Sequence, residues 1–113
     1  MKETNESIRI KIKNGNFNNI ENWDVSEVTD MSELFCKFDH EYYRESDFNL
    51  NISKWDVSNV VNMNCMFKYC IKFNQDISKW NVSNVTNMGD MFFKCENFKQ
   101  DIGNWDVGNV IRM

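Results

Sequence analysis

Two apolar periodicities alternate along this chain. Ile77, Trp80 and Val82 punctuate a polar stretch, and Ile102, Trp105 and Val107 do the same further on. A period close to two, as in "KWNV" and "NWDV", predicts a short strand with one face turned inward. Met88, Met91, Phe92 and Cys95 then follow at i, i+3, i+4 and i+7, the spacing of one helix face. Met63, Met66, Phe67 and Cys70 repeat this stripe, and Met31, Leu34, Phe35 and Phe38 repeat it with Phe in the last place. Asp30, Asn62 and Asn87 precede the stripes, and such side chains accept from the first free N–H groups of a helix.

The two patterns recur in fixed order. Trp23, Trp55, Trp80 and Trp105 each head a similar phrase, at spacings of 32, 25 and 25 residues, and residues 55–79 and 80–104 are identical at 14 of 25 positions. Self-similarity at this period predicts stacked units, about three and a half of them over 17–113, each with one short parallel strand and one short helix per 25 residues. An α/β repeat follows, with Trp23, Trp55, Trp80, Trp105, Met63, Phe67, Cys70, Met88, Phe92 and Cys95 as its core. Asp24, Asp56, Asn81 and Asp106 are then expected to stack about 4.8 Å apart on the open face of the sheet, as a candidate binding surface. Upstream, Ile8, Ile10 and Ile12 alternate with polar residues before Asn14-Gly15, so 1–16 reads as an N-terminal capping strand.

At 113 residues the chain is one domain's worth, and an apolar fraction of 42% with nine Phe and four Trp supplies a core. The net charge of −4 and unclustered Lys and Arg argue against nucleic acid as a ligand. No apolar run approaches ~18 residues, so no membrane span is expected. The N-terminus lacks an apolar signal segment, which points to an intracellular location for the chain as written. Its four cysteines are then expected to be reduced.

The phrase "FNQDISKWNVSNVTNMGDMFFKC" at 73–95 resembles the repeat of BspA-like surface proteins, a branch of the leucine-rich-repeat class found in bacterial surface proteins and lipoproteins. Trp-Asp/Asn-Val-Ser-Asn-Val, Met-x-x-Met-Phe-x-x-Cys and Phe-x-Gln-Asp-Ile carry the resemblance, which spans roughly 17–113. It implies a right-handed leucine-rich-repeat-like solenoid used for binding, often adhesion, with no catalytic residues and no cofactor.

The repeat is broken once, by extra residues around 39–48, "DHEYYRESDF". Tyr and Arg are enriched in binding hot spots, so Tyr42, Tyr43 and Arg44 are candidates for contact with a protein partner, and packing of the tyrosines onto the chain itself is the alternative. The last unit begins at Trp105, leaving a strand edge that predicts self-association at the C-terminal end. Cys70 and Cys95 sit at the end of the apolar stripe and read as core. Cys36 with His40 lacks the paired spacing of zinc motifs, and Asp76 and Asp101 read as turn formers rather than a calcium ladder, so no metal is expected. One His and no phosphate-binding glycine loop leave little material for catalysis. The expected function is a non-catalytic protein-binding module, with self-assembly as the alternative.

Overall fold

The structure, a computed structural model, describes residues 1–39 and 42–113; His40 and Glu41 lie outside the described residues. Its first element is helix α1 (Asn5–Lys13), where a capping strand was expected. Ile8 is fully buried and Ile12 packs against the core, while Ile10 is 52% exposed, so the three isoleucines obey a helical rather than a two-residue period. Both ends are capped. Thr4 Oγ1 accepts from Ser7 N–H at 3.0 Å and Ser7 Oγ accepts from Thr4 N–H at 2.8 Å, a reciprocal box. Gly15, at φ +70°, allows its own N–H to reach Ile12 O and that of Asn16 to reach Lys11 O, which satisfies the last carbonyls.

A 3-10 turn (Ile20–Asn22) follows, and then strands β1 (Lys37–Asp39) and β2 (Tyr42–Arg44), which pair antiparallel as a hairpin. The expected right-handed leucine-rich-repeat-like solenoid, with one parallel strand and one helix per unit, is thereby overturned. Among the described residues there is a single α-helix, and the two strands belong to the insertion and run antiparallel. The body measures 33 × 33 × 23 Å with a radius of gyration of 13.1 Å. A globular domain of this length has a radius of about 13 Å.

The physical reason lies in the stripes. Met66 N–H donates to Met63 O, and Cys70 N–H to Phe67 O, closing two consecutive β-turns. The third residue of each, Cys65 at φ +57° and Tyr69 at φ +61°, is left-handed, as are Asp90, Lys94 and Glu33 in the matching turns. A left-handed residue every fourth position ends any helix. Two such turns in series nevertheless turn i, i+3, i+4 and i+7 inward: Met63, Met66, Phe67 and Cys70 are all 0% exposed. The Trp phrases are turns too, with Trp80 N–H donating to Ile77 O and Val85 N–H to Val82 O.

Backbone groups left over by these turns bond to the neighbouring segment. Met63, Cys65, Phe67 and Tyr69 donate to the carbonyls of Asn87, Gly89, Met91 and Phe93, and isolated parallel bridges join Asp30 to Asn62, Asn62 to Asn87 and Asn87 to Arg112. Side chains extend the ties. The indole N–H of Trp55, Trp80 and Trp105 donates to Ile20, Ile52 and Ile77 carbonyls at 2.8, 3.1 and 3.1 Å. Between segments, Phe35, Phe67 and Phe92 stack at 5.6 and 5.7 Å, and Phe48, Phe73 and Phe98 at 5.9 and 5.8 Å. Burying a Trp such as Trp55 stabilises by about 4–6 kcal/mol as an upper bound.

Among the expected core residues, Trp55, Trp80, Trp105, Met63, Phe67, Cys70 and Met88 are buried, while Trp23, Phe92 and Cys95 are half-buried. Phe38 departs from its stripe because the chain leaves the body at Lys37 to enter the hairpin; its side chain is 55% exposed.

Candidate functional site

The hairpin splits the expected tyrosine pair. Tyr43 lies opposite Phe38, whose ring it meets edge-on at 4.9 Å, and stacks on Tyr69 at 6.0 Å. The ammonium of Lys68 sits 3.9 Å from the Tyr43 ring centroid, 5.4 Å from that of Phe93 and 3.8 Å from Asp90 Oδ2. Tyr43 is therefore a brace that holds the hairpin against the body. Tyr42 points the other way and is 72% exposed. Arg44 is exposed and pairs in register with Lys37.

Beside the hairpin lies a groove of about 740 Å³, bounded by α1, residues 33–38 and residues 46–50. Ile12, Phe17, Leu34, Phe35, Phe48 and Leu50 supply its apolar lining. Arg9, Lys13 and Lys37 stand around it with Glu33 and Asp47. Arg9 is engaged, its Nη2 lying 3.3 Å from Asp30 Oδ1 and from Ser32 Oγ. Lys13 and Lys37 make no ion pair among the described residues.

α1 covers the start of the body with substitute groups. Asn5 Oδ1 accepts from both Thr29 and Asp30 N–H, at 2.9 and 3.3 Å. Thr29 O accepts the Val61 and Asn62 N–H groups in the same way, so the Asn5 amide stands where a preceding carbonyl would be. Glu3, 3% exposed, is held by Lys11 Nζ at 2.6 Å and Ser7 Oγ at 2.8 Å. Burial raises the Glu3 carboxyl pKa, but the hydrogen bonds from Lys11 and Ser7 outweigh it and leave it lowered.

Asp24, Asp56, Asn81 and Asp106 are exposed, but they stand in turns rather than on a sheet face. Each side-chain oxygen accepts the N–H two residues on, at Ser26, Ser58, Ser83 and Gly108, which closes an Asx turn. The Ser26 hydroxyl and then its N–H hold the Asp24 carboxyl below its ordinary value, and Ser78 does the same for Asp76. Between neighbouring segments the polar ties come from Asn59, Asn84 and Asn109, whose amides donate to Ser26, Ser58 and Ser83 carbonyls.

The four thiols are free. Burial pushes Cys36 and Cys70 up to about 12 and Cys95 to about 11, and raises Cys65. Cys95 Sγ donates to Phe67 O at 2.7 Å and Cys70 Sγ to Phe35 O at 3.4 Å, so both serve as packing residues with a weak donor. His40, the other half of the Cys36 pair, is outside the described residues. Among the described residues no three of His, Cys, Asp or Glu gather as metal ligands, and no helix is long and apolar enough to cross a membrane.

At the C-terminal end a second hollow of about 510 Å³ is lined chiefly by Met88, Met91, Phe92, Ile102, Trp105 and Met113. The N–H groups of Asp90, Phe92 and Lys94, matching the donors Cys65, Phe67 and Tyr69 of the previous segment, make no hydrogen bond among the described residues.

Sequence reasoning missed α1, the groove it shares with the insertion, and the second Phe stack. The last was visible as Phe48, Phe73 and Phe98 at a constant 25-residue spacing, and the helix as Thr4-x-x-Ser7 with Gly15 beyond the last turn.

A small acidic protein of turn-built segments, covered at one end by a helix and carrying an inserted hairpin, is the class these features define. The family model described as "Mycoplasma protein of unknown function, DUF285" matches residues 4–113, and the chain belongs to that family. No curated protein and no solved structure matches it.

Proposed function

We propose that the chain is a non-catalytic protein-binding module that engages its partner at the inserted hairpin. The observation that carries this is the exposure of Tyr42 at 72%, on the face of the hairpin opposite the one braced against the body by Tyr43, Tyr69 and Lys68. Large rings held on a rigid support bind with little ordering cost, and aromatic anchors dominate interface energies. The resemblance of 73–95 to BspA-like surface proteins, whose repeat serves adhesion, supports the same reading. Panning a random-peptide library against the immobilised chain tests it. Selected peptides should lose at least tenfold in affinity to Tyr42→Ala; a library yielding no binders, or binders indifferent to this change, would overturn it.

Self-association through the C-terminal edge is a second reading, favoured by the Asp90, Phe92 and Lys94 donors, which make no hydrogen bond among the described residues, and the hollow beside them. Light scattering on a size-exclusion column should then show mass rising with concentration, and Phe93→Glu should abolish the rise. A constant monomer from micromolar to millimolar would sink this second reading.

A further inference from the structure

Each segment of the body is closed by the next through one recurring set of ties. The Thr29 carbonyl accepts the Val61 and Asn62 N–H groups, that of Val61 accepts Thr86 and Asn87, and that of Thr86 accepts Ile111 and Arg112. The carbonyls of Ile20, Ile52 and Ile77 each accept two groups, the backbone N–H three residues on and the indole N–H of the next segment's Trp. On the C-terminal face the same positions recur with those places open. Among the described residues Ile102 O accepts only the Trp105 backbone N–H, and Ile111 O accepts nothing. Gly108 O, which stands where Ser26, Ser58 and Ser83 accept Asn amides, also accepts nothing, and the N–H groups of Asp90, Phe92 and Lys94 make no hydrogen bond. The rings obey the same rule: Phe92 and Trp105 stack on Phe67 and Trp80 of the preceding segment, at 5.7 and 6.5 Å, and both line the 510 Å³ hollow.

We infer that this face binds an unpaired segment of the chain's own phrase, equivalent to residues 89–113, presented by another polypeptide and folded onto the face as successive β-turns. This rests on the self-association reading, in that the same face is used, and it names the partner's chemistry. The interface inside the body supplies the template. Met63, Cys65, Phe67 and Tyr69 donate to Asn87, Gly89, Met91 and Phe93, so the occupant's counterparts of Gly89, Met91 and Phe93 accept from Asp90, Phe92 and Lys94. Its Trp supplies the indole N–H for Ile102 O, its counterpart of Asn109 the amide for Gly108 O, and its counterparts of Ile111 and Arg112 the two N–H groups for Ile111 O. Its rings then cover Phe92 and Trp105, as Phe92 and Trp105 cover Phe67 and Trp80. A segment of this kind cannot bury its inner face alone, which is why it docks on another. An extended strand lacks the left-handed residues that Asp90 and Lys94 place every fourth position, so it drifts out of register with the donors. An acyl chain could fill the hollow, but it has no use for the donors and carbonyls around it.

The test uses the full chain and a fluorescent peptide of residues 89–113, followed by anisotropy, with the same residues in reversed order as control. Binding should saturate below about 1 mM. In the peptide, Trp105→Phe keeps a ring and removes the indole donor, and should weaken binding about 2–10-fold, the size of one hydrogen bond; Trp105→Ala should weaken it at least tenfold. In the full chain, Val107→Asp and Phe93→Glu change exposed residues that line the hollow and should each cost at least tenfold, while Tyr42→Ala leaves the affinity unchanged. Absence of saturation at about 1 mM, equal binding of the reversed peptide, or indifference to both Val107→Asp and Phe93→Glu would overturn the inference. If the peptide fails while the mass of the full chain still rises with concentration, this inference falls and self-association stands. If the peptide binds while the full chain stays a monomer, the inference stands and the face admits only an unpaired segment.

Discussion

Lys94 offers a direct test of the turn-built body, because a helix and a left-handed turn give opposite answers to one substitution. Its φ is +61°, it is exposed, and its side chain makes only a 5.7 Å approach to the Phe93 ring. Comparing Lys94→Gly with Lys94→Ala cancels the lost side chain and leaves the backbone term. A residue with a Cβ pays roughly 1–2 kcal/mol in the left-handed region. Glycine is released from that strain but loses roughly 0.5–1 kcal/mol more in ordering. The glycine variant should therefore be about 0.5–1 kcal/mol more stable than the alanine variant. In a helix the order reverses, with alanine ahead by about 0.8–1.0 kcal/mol. Urea unfolding followed by tryptophan fluorescence reads the difference: at a slope of about 2 kcal/mol/M the glycine midpoint lies about 0.25–0.5 M higher. An alanine variant unfolding at the higher urea concentration would refute the turn geometry and restore the helix. Glu33, exposed at φ +57°, provides an independent second site.

Asn5→Ala should cost about 1–2 kcal/mol by orphaning the Thr29 and Asp30 N–H groups, and hydrogen exchange should show those two amides losing protection before the rest of the body. Glu3→Gln should destabilise by about 1–2 kcal/mol at neutral pH. Since the Glu3 carboxyl titrates below 4.5 in the folded state, that contribution is complete above pH 4.5 and fades as pH falls through the folded value; thermal melts showing the same deficit at pH 2 and pH 7 would contradict it. With a thiol pKa of about 12, Cys70 is thiolate at a fraction of about 10⁻⁴ at pH 8, so a disulfide reagent should label it only after denaturant is added, and rapid labelling of the native chain would show the thiol is open to solvent.

The inward positions were legible in the sequence and their backbone conformation was not. Met63, Met66, Phe67 and Cys70 are buried as their spacing predicts, yet the spacing is shared by a helix and by two left-handed turns in series. Periodicity reports which side chains point inward, not how the chain gets from one to the next. Only the positions between them, Cys65 and Tyr69, carry the difference, and neither residue type announces a positive φ. Ile8, Ile10 and Ile12 pose the same ambiguity, since positions 8 and 12 serve a helix and all three serve a strand; the caps decide it. Asp24, Asp56 and Asp106 were read as a charged sheet face because Asx turns and strand faces both place carboxylates outward. At the insertion, Tyr42 and Tyr43 are identical in chemistry, and only the hairpin register separates exposed ring from brace. The groove was not legible at all, because it joins residues 9–17 to residues 33–38 and 46–50 and depends on a helix the alternation concealed.

The ties between segments join residues that are far apart along the chain: Met63 to Asn87, Met31 to Asn62, Trp80 to Ile52. Apart from α1 and the hairpin, little here can form on local interactions alone, and each turn is secured only when its neighbour is already in place. Such a body closes large loops before it gains compensating contacts, so it belongs with slow, cooperative folders rather than with helical proteins of equal length. A newly made chain holds its phenylalanines open to solvent until the neighbouring segment arrives, and it is during that interval, more than in the finished fold, that aggregation threatens it.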